Sequence, residues 1–271
     1  MNRSLALWMV LLASILLGGI AAGQTTSSSS ASAVSSGEPL QVSVGTFCVE
    51  RRARLAFEIV RDTPCVCLCS PIQVLDVALL NSKGSEILRE CYDTPIDAAE
   101  WLFRISLSEA GDATLLPDGT YTVRIQTNIG QFSAALEIVP LDRMAHLGRF
   151  SSSASVCGIA LRVYRLLTEE DHGTTVELRQ GDRLMVALAG NATTGFQWDN
   201  TLLYEYAVLR ETREPEYRAK PNPQTMVGYG GAFLFRYVAI APGPQSFHFV
   251  YHRPWESVQP QQVFEFDAEV H

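Results

Sequence analysis

The last stretch of the chain fixes most firmly what it can fold into. Phe264, Phe266, Ala268 and Val270 share one parity, while Glu265, Asp267 and Glu269 share the other. A strand satisfies that period of two by burying one face and wetting the other, and a helix cannot. The same alternation recurs upstream: Tyr121, Val123 and Ile125 oppose Thr122, Arg124 and Gln126, and Val176 and Leu178 oppose Glu177 and Arg179. Further β-like runs are expected at 40–44, 53–60, 73–80, 101–107 and 132–139, then at 184–188, 232–240 and 247–251. Turn signals such as Asn81-Ser82-Lys83-Gly84 and Pro117-Asp118-Gly119 separate some of them, at intervals that fit antiparallel sandwiches. Helical expectations are confined to a turn at 96–101 and a short segment at 161–169. The predicted class is therefore all-β: two β-sandwich domains, the second immunoglobulin-like, following a signal peptide and a Ser-rich tether.

The boundaries come from composition. Arg3 precedes an apolar run over 5–17 and the small residues Gly18-Gly19-Ile20-Ala21-Ala22-Gly23, the pattern of a secretory signal peptide over 1–23. That run is shorter than the roughly 20 residues that span a bilayer, so no permanent membrane anchor is expected. Residues 24–38, rich in Ser and Thr, carry too little apolar surface to offset the entropy of ordering and read as a disordered tether. The β runs over 39–140 form the first predicted domain. A linker over 141–155 contains Ser151-Ser152-Ser153-Ala154-Ser155, and 156–271 forms the second domain. Export predicts a periplasmic or extracellular location.

Charge and cysteine count narrow the function classes. A net charge of -8 disfavours nucleic acid, whose binding needs a basic face to displace counterions. An exported chain meets an oxidising compartment, where disulfides persist. Five of the six cysteines (Cys48, Cys65, Cys67, Cys69 and Cys91) fall in the first half, and Cys157 lies in the second. Bridges within the first domain are expected, and the odd count leaves a free thiol or a bond from Cys157 to that domain. The single-residue gaps of Cys65-Val66-Cys67-Leu68-Cys69 differ from zinc-knuckle spacing, and no histidine lies nearby, so neither metal nor cofactor is expected.

Three segments interrupt the strand pattern in the second domain: Asn191-Ala192-Thr193-Thr194-Gly195-Phe196-Gln197-Trp198, Gly228-Tyr229-Gly230-Gly231 and Arg253-Pro254-Trp255. In the first, Asn191 favours a turn start and Gly195 reaches backbone angles closed to other residues. Phe196 and Trp198, two apart, are expected to point together into the core. The glycines of the second suit either close approach by another backbone or a plain tight turn. No Lys-Ser/Thr or helix follows them, which argues against a phosphate loop. The third pairs an arginine and a tryptophan, residue types that dominate interfaces, at a tip stiffened by Pro254. The alternative is a tryptophan folded back on the sandwich.

As a set, in this order and at these separations, the three segments resemble the signature loops of the chagasin family of cysteine-protease inhibitors. The lead-in Gly173-Thr174-Thr175-Val176-Glu177-Leu178-Arg179-Gln180-Gly181-Asp182 is similar to that family's first strand and turn. The resemblance covers 156–271 and says nothing of earlier residues. It implies an immunoglobulin-like sandwich whose loops enter the cleft of papain-like cysteine peptidases. Thr193-Thr194-Gly195 would sit over the catalytic cysteine without being cleaved, with the glycine loop on one flank. Arg253-Pro254-Trp255 would pack on the other, Trp255 against aromatic surface of the enzyme. The family usually has proline where this chain has Ala192, and the freer backbone raises the ordering cost by roughly 0.4–1 kcal/mol. On this reading the chain is not an enzyme, and it acts as a monomer.

Two other classes share parts of the pattern. A secreted or cell-surface tandem sandwich that binds a glycan or protein accounts for the fold and export, yet gives the three loops no joint purpose. A hydrolase using Cys157 with His172 lacks a helix N-terminus to activate the thiol. His248 and His252, four apart on one expected strand face, read as rim residues.

Overall fold

The computed structural model describes residues 40–50, 54–61, 71–106, 119–139, 153–156, 158–202, 207–219 and 230–271. The expected signal peptide and tether, most of the expected linker, and the residues Gly228 and Tyr229 lie outside the described residues. In chain order the strands are β1 (Leu40–Glu50), β2 (Arg54–Arg61), β3 (Gln73–Asn81), β4 (Glu86–Asp97), β5 (Phe103–Ser106), β6 (Gly119–Thr127), β7 (Gly130–Val139) and β8 (Ser153–Val156). They continue as β9 (Ile159–Leu167), β10 (Thr174–Leu178), β11 (Arg183–Gly190), β12 (Gln197–Asn200), β13 (Leu209–Ala219), β14 (Gly231–Ala239), β15 (Gly243–His252) and β16 (Gln262–Val270). Two short 3-10 turns, Glu169–Asp171 and Ala192–Thr194, are the helical elements among the described residues.

Three sheets build two cores. One sheet runs β1-β7-β6-β3-β4, a second runs β10-β16-β15-β12, and a third runs β13-β14-β11-β9-β2-β5, with β8 added to β9. The third sheet faces both of the others. Leu55, Phe57, Leu161 and Val163 from it close the first core against residues such as Val123, Ile125 and Phe132. Leu184, Val186, Phe233 and Phe235 close the second against Phe249, Phe264 and Phe266. The second core is a stack of rings, with Phe247 and Phe266 parallel at 4.5 Å. Each such ring contributes about 1.5–3 kcal/mol by burial. Most neighbours are antiparallel, as expected, but β1 with β7, β9 with β11, and β10 with β16 run parallel.

The strand β9 corrects the helical expectation at 161–169 and changes the domain picture. It pairs antiparallel with β2 on one side and parallel with β11 on the other, so one sheet passes from the first core to the second. The strand is buried along most of its length, and its apolar residues fall on both parities with Arg162 and Arg165 three apart between them, a short pattern that period alone does not distinguish from a helix. The expected turn at 96–101 is present where Glu100 and Trp101 N–H both donate to the Asp97 carbonyl at 2.9 Å. Residues 36–271 form one compact unit, with two cores on a common sheet.

Charge crosses the junction as well. Glu58 on β2 and Arg236 on β14 are each about 1 % exposed, and the Arg236 Nη2 donates to Glu58 Oε1 at 2.6 Å. Arg218 on β13 donates to the same oxygen at 3.3 Å, and its Nε donates to Glu216 at 2.8 Å. Burial opposes the charge on Arg236, yet hydrogen bonding to Glu58 and the nearby Glu216 carboxylate raise its pKa above the ordinary arginine value. A buried pair in this geometry is costly to break from one side.

Candidate functional site

The site begins with strand ends. Gly190, at the end of β11, lies opposite Gly231, at the start of β14. Gln197, at the start of β12, lies opposite His252, at the end of β15. Both pairs are at the same pole of the second core, because Trp198 on β12 donates its indole N–H to the Ala189 carbonyl of β11 at 2.9 Å. Tyr251 closes the gap, accepting the Asn191 N–H on its hydroxyl at 2.9 Å. The first segment, the base of the second, and the third thus leave from one end of the sandwich.

The first segment is held by its own side chains. Asn191 is extended (φ -138°, ψ 96°) and caps the 3-10 turn, its Oδ1 accepting from the Thr193 N–H at 3.1 Å. The Thr193 hydroxyl donates to that oxygen at 2.6 Å, and the Thr194 hydroxyl donates to the Asn191 carbonyl, also at 2.6 Å. Gly195 ends the turn in the left-handed region (φ 79°), where a side chain would be strained. Ala192 is the first residue of this turn, so these bonds restrain a backbone that lacks the proline ring. Trp198 is buried, as expected, whereas Phe196 precedes the strand and is half-buried against Tyr251, ring centroids 5.1 Å apart.

The third segment is tied to the first. Arg253 Nε donates to the Thr194 carbonyl at 3.1 Å, and its guanidinium lies 4.5 Å above the Phe196 ring. Its Nη1 donates to Glu256 at 2.8 Å. Arg253 is therefore spent on internal contacts and works as a brace. Trp255 is 69 % exposed, yet its six-membered ring rests over Gly195. Beneath them, Gln197 donates to both oxygens of Asp199 at 2.9 Å, and Asp199 Oδ2 lies 2.7 Å from His252 Nε2.

Of the predicted site residues, the structure brings together Asn191, Ala192, Thr193, Thr194, Gly195, Phe196, Arg253, Pro254 and Trp255, with Gly230 and Gly231 beside them at the base of β14. Sequence reasoning missed Tyr251 and Glu256. A tyrosine on a regular strand gives no local sign that its hydroxyl reaches another loop. Among the described residues no group of His, Cys, Asp or Glu is arranged to hold a metal ion, and Cys91 on β4 is an exposed thiol. The side chains of the other five cysteines lie outside the described residues, and so does their pairing. His248 Nδ1 lies 2.7 Å from the Thr201 hydroxyl, well away from His252 along β15.

Comparison with known proteins bears on the same region. Residues 177–270 match the sequence model of the Chagasin family peptidase inhibitor I42. Amoebiasin-1 from Entamoeba histolytica is 28% identical over 104 residues, 38% of this chain and 97% of that protein. Amoebiasin-2 from the same organism is 25% identical over 109 residues, 40% of this chain and 85% of that protein. Among solved structures, the cysteine protease inhibitor EhICP2 from Entamoeba histolytica aligns with a TM-score of 0.35 and 23% identity, covering 39% of this chain and 94% of that one. Family inhibitors of this kind are not enzymes. Residues 177–270, the stretch that holds the first and third segments and the base of the second, are thus the part of this chain that matches the chagasin peptidase-inhibitor family.

Proposed function

We propose that this protein is an exported, monomeric, reversible inhibitor of papain-like cysteine peptidases, occluding the active-site cleft with the three segments at the pole of its second sandwich. One observation carries the reading: Trp255 is 69 % exposed yet held against Gly195, with Arg253 bonded to Thr194. An exposed aromatic is normally mobile, and this one is restrained before any partner arrives. Pre-formed contacts reduce the freedom lost on docking, so burying the indole yields net affinity. Thr193 and Thr194 sit in a closed turn of local hydrogen bonds, which supports a wedge that resists being drawn out as an extended substrate. The residues of the three segments carry no reactive electrophile for a peptidase thiolate to trap, so binding is reversible. Export rests on the pattern of residues 1–23.

The test is an inhibition constant for the full chain against papain, with Trp255→Ala alongside. Competitive inhibition in the nanomolar to micromolar range, with the inhibitor recovered uncut, is the expected result. No inhibition at high micromolar concentration would leave a binding module of another kind.

A further inference from the structure

The first core is not needed to explain the loop pole, and its purpose is open until β13 is followed to its end. There β13 pairs with β14 at Tyr217 and Phe233, Arg218 and Ala232, and Ala219 and Gly231. The fit at this end is close. A Cβ at Gly231 would stand 2.2 Å from the Arg218 carbonyl oxygen and 2.7 Å from the Tyr217 ring. The backbone of Arg218 is thus pressed against the first residue of β14, at the base of the second segment.

The side chain of Arg218 points the other way, into the first half of the chain. Its Nη1 donates to the Trp101 carbonyl at 3.4 Å, and its Nη2 donates to the Ala99 carbonyl and to Glu58 Oε1, both at 3.3 Å. Those acceptors are firmly placed. Trp101 is 2 % exposed and stacks on Phe103 at 6.2 Å, and its indole N–H donates to the Tyr92 hydroxyl at 3.1 Å. From Tyr217 a chain of rings leads back to the pole. Tyr217 lies 5.0 Å from Phe233, Phe233 lies 6.3 Å from Tyr251, and the Tyr251 hydroxyl accepts the Asn191 N–H. One arginine therefore joins the first core to the base of the second segment and, through three rings, to the cap of the first.

We infer that the first sandwich is a working part of the inhibitor: through Arg218 it holds the end of β13 and so positions the peptidase-binding pole. Arg218 is a positioning residue, acting through Gly231 and Tyr217 without touching the peptidase. An edge strand with a neighbour on one side is otherwise free to shift, and guanidinium donors in a fixed fork match several acceptors at once. Lysine, a point charge on a flexible stem, holds fewer of them. This inference rests on the proposed function, but part of its test does not.

The experiment uses the full chain with Arg218→Ala, Arg218→Lys and, as a control, Ile125→Val, which trims the first core on the far sheet. Inhibition of papain is measured well below each melting temperature, and amide exchange at Asn191 and Gly231 is followed in the free protein. Arg218→Ala should raise the inhibition constant about tenfold, mainly through faster dissociation, and speed exchange at both amides. Arg218→Lys should recover part of each effect, and it serves as the test if the alanine variant does not fold. Ile125→Val should lower the melting temperature and leave both readouts unchanged. Unchanged exchange and inhibition in a folded Arg218 variant would overturn the inference while Trp255→Ala still upheld the proposed function. Equal effects from Ile125→Val would also overturn it, reducing Arg218 to general stability. If wild type fails to inhibit papain, the proposed function falls and the exchange data alone decide whether Arg218 orders the pole.

Discussion

The indole of Trp255 lies across Gly195 so closely that a methyl group added to the glycine would stand 2.5 Å from its Cη2. Gly195 also sits at φ 79°, so both backbone angle and space require glycine there. Gly195→Ala should therefore act twice, straining the turn by about 1–2 kcal/mol and pushing the indole off its seat. Papain inhibition should weaken by at least tenfold, with an altered Trp255 environment visible by NMR. An alanine variant with wild-type inhibition would show that the packed indole is not the binding form.

Removing the indole itself separates binding from folding. Because Trp255 is largely exposed, Trp255→Ala should change stability by no more than about 0.5 kcal/mol. The same variant should lose about 2–4 kcal/mol of affinity for the peptidase. Thermal melting and inhibition, measured on one preparation, check both halves of this expectation.

Ala192 offers a gain. It opens the 3-10 turn, where proline is well tolerated, and Asn191 before it is already extended, the region that a residue preceding proline requires. Ala192→Pro should tighten inhibition by about 0.4–1 kcal/mol by reducing the freedom lost on docking. Weaker inhibition would mean that the turn must open to bind.

Glu58 and Arg236 join the two halves inside the common sheet. Glu58→Leu leaves a buried guanidinium short of its main partner and should cost about 3–5 kcal/mol in urea unfolding. Since β9 is shared by both cores, the chain should unfold in a single transition. Two separate transitions would show that the sheet is not cooperative across the junction.

Burial raises the pKa of Tyr237 above the ordinary tyrosine value. The folded state thus keeps its phenol protonated where the unfolded chain would release the proton. Its contribution to stability is complete below about pH 10 and is lost as pH climbs toward the raised value. Tyr237→Phe should flatten the fall in unfolding free energy between neutral pH and pH 11. An unchanged slope would assign the alkaline loss to other groups.

Legibility followed burial. β16, with one face in the core and one in water, was read correctly from its alternation alone, as were β6 and β10. Two long strands escaped notice. β4 and β13 are sheet edges, exposed along most of their length. Each carries a proline (Pro95, Pro215) tolerated because one side needs no ladder partner. β9 was missed for the opposite reason, being buried along most of its length with apolar residues on both parities. The turn at Gly195 and the exposed tip at Trp255 are legible because glycine, proline and tryptophan mark backbone angles and exposed tips locally.

The sequence by itself determined that this chain is all-β and that its second half is similar to the chagasin family, and it marked the segments around Gly195 and Trp255 that leave the strand pattern. Periodicity and turn chemistry are local properties, written within a few neighbouring residues. Only the tertiary structure decided that β9 joins both cores into one sheet, that Arg253 braces Thr194 and Phe196, and that Arg218 ties the first core to the base of the second segment. The Arg253–Thr194 and Arg218–Glu58 contacts bridge residues 59 and 160 positions apart, and such pairing depends on how sheets align, which no local pattern encodes.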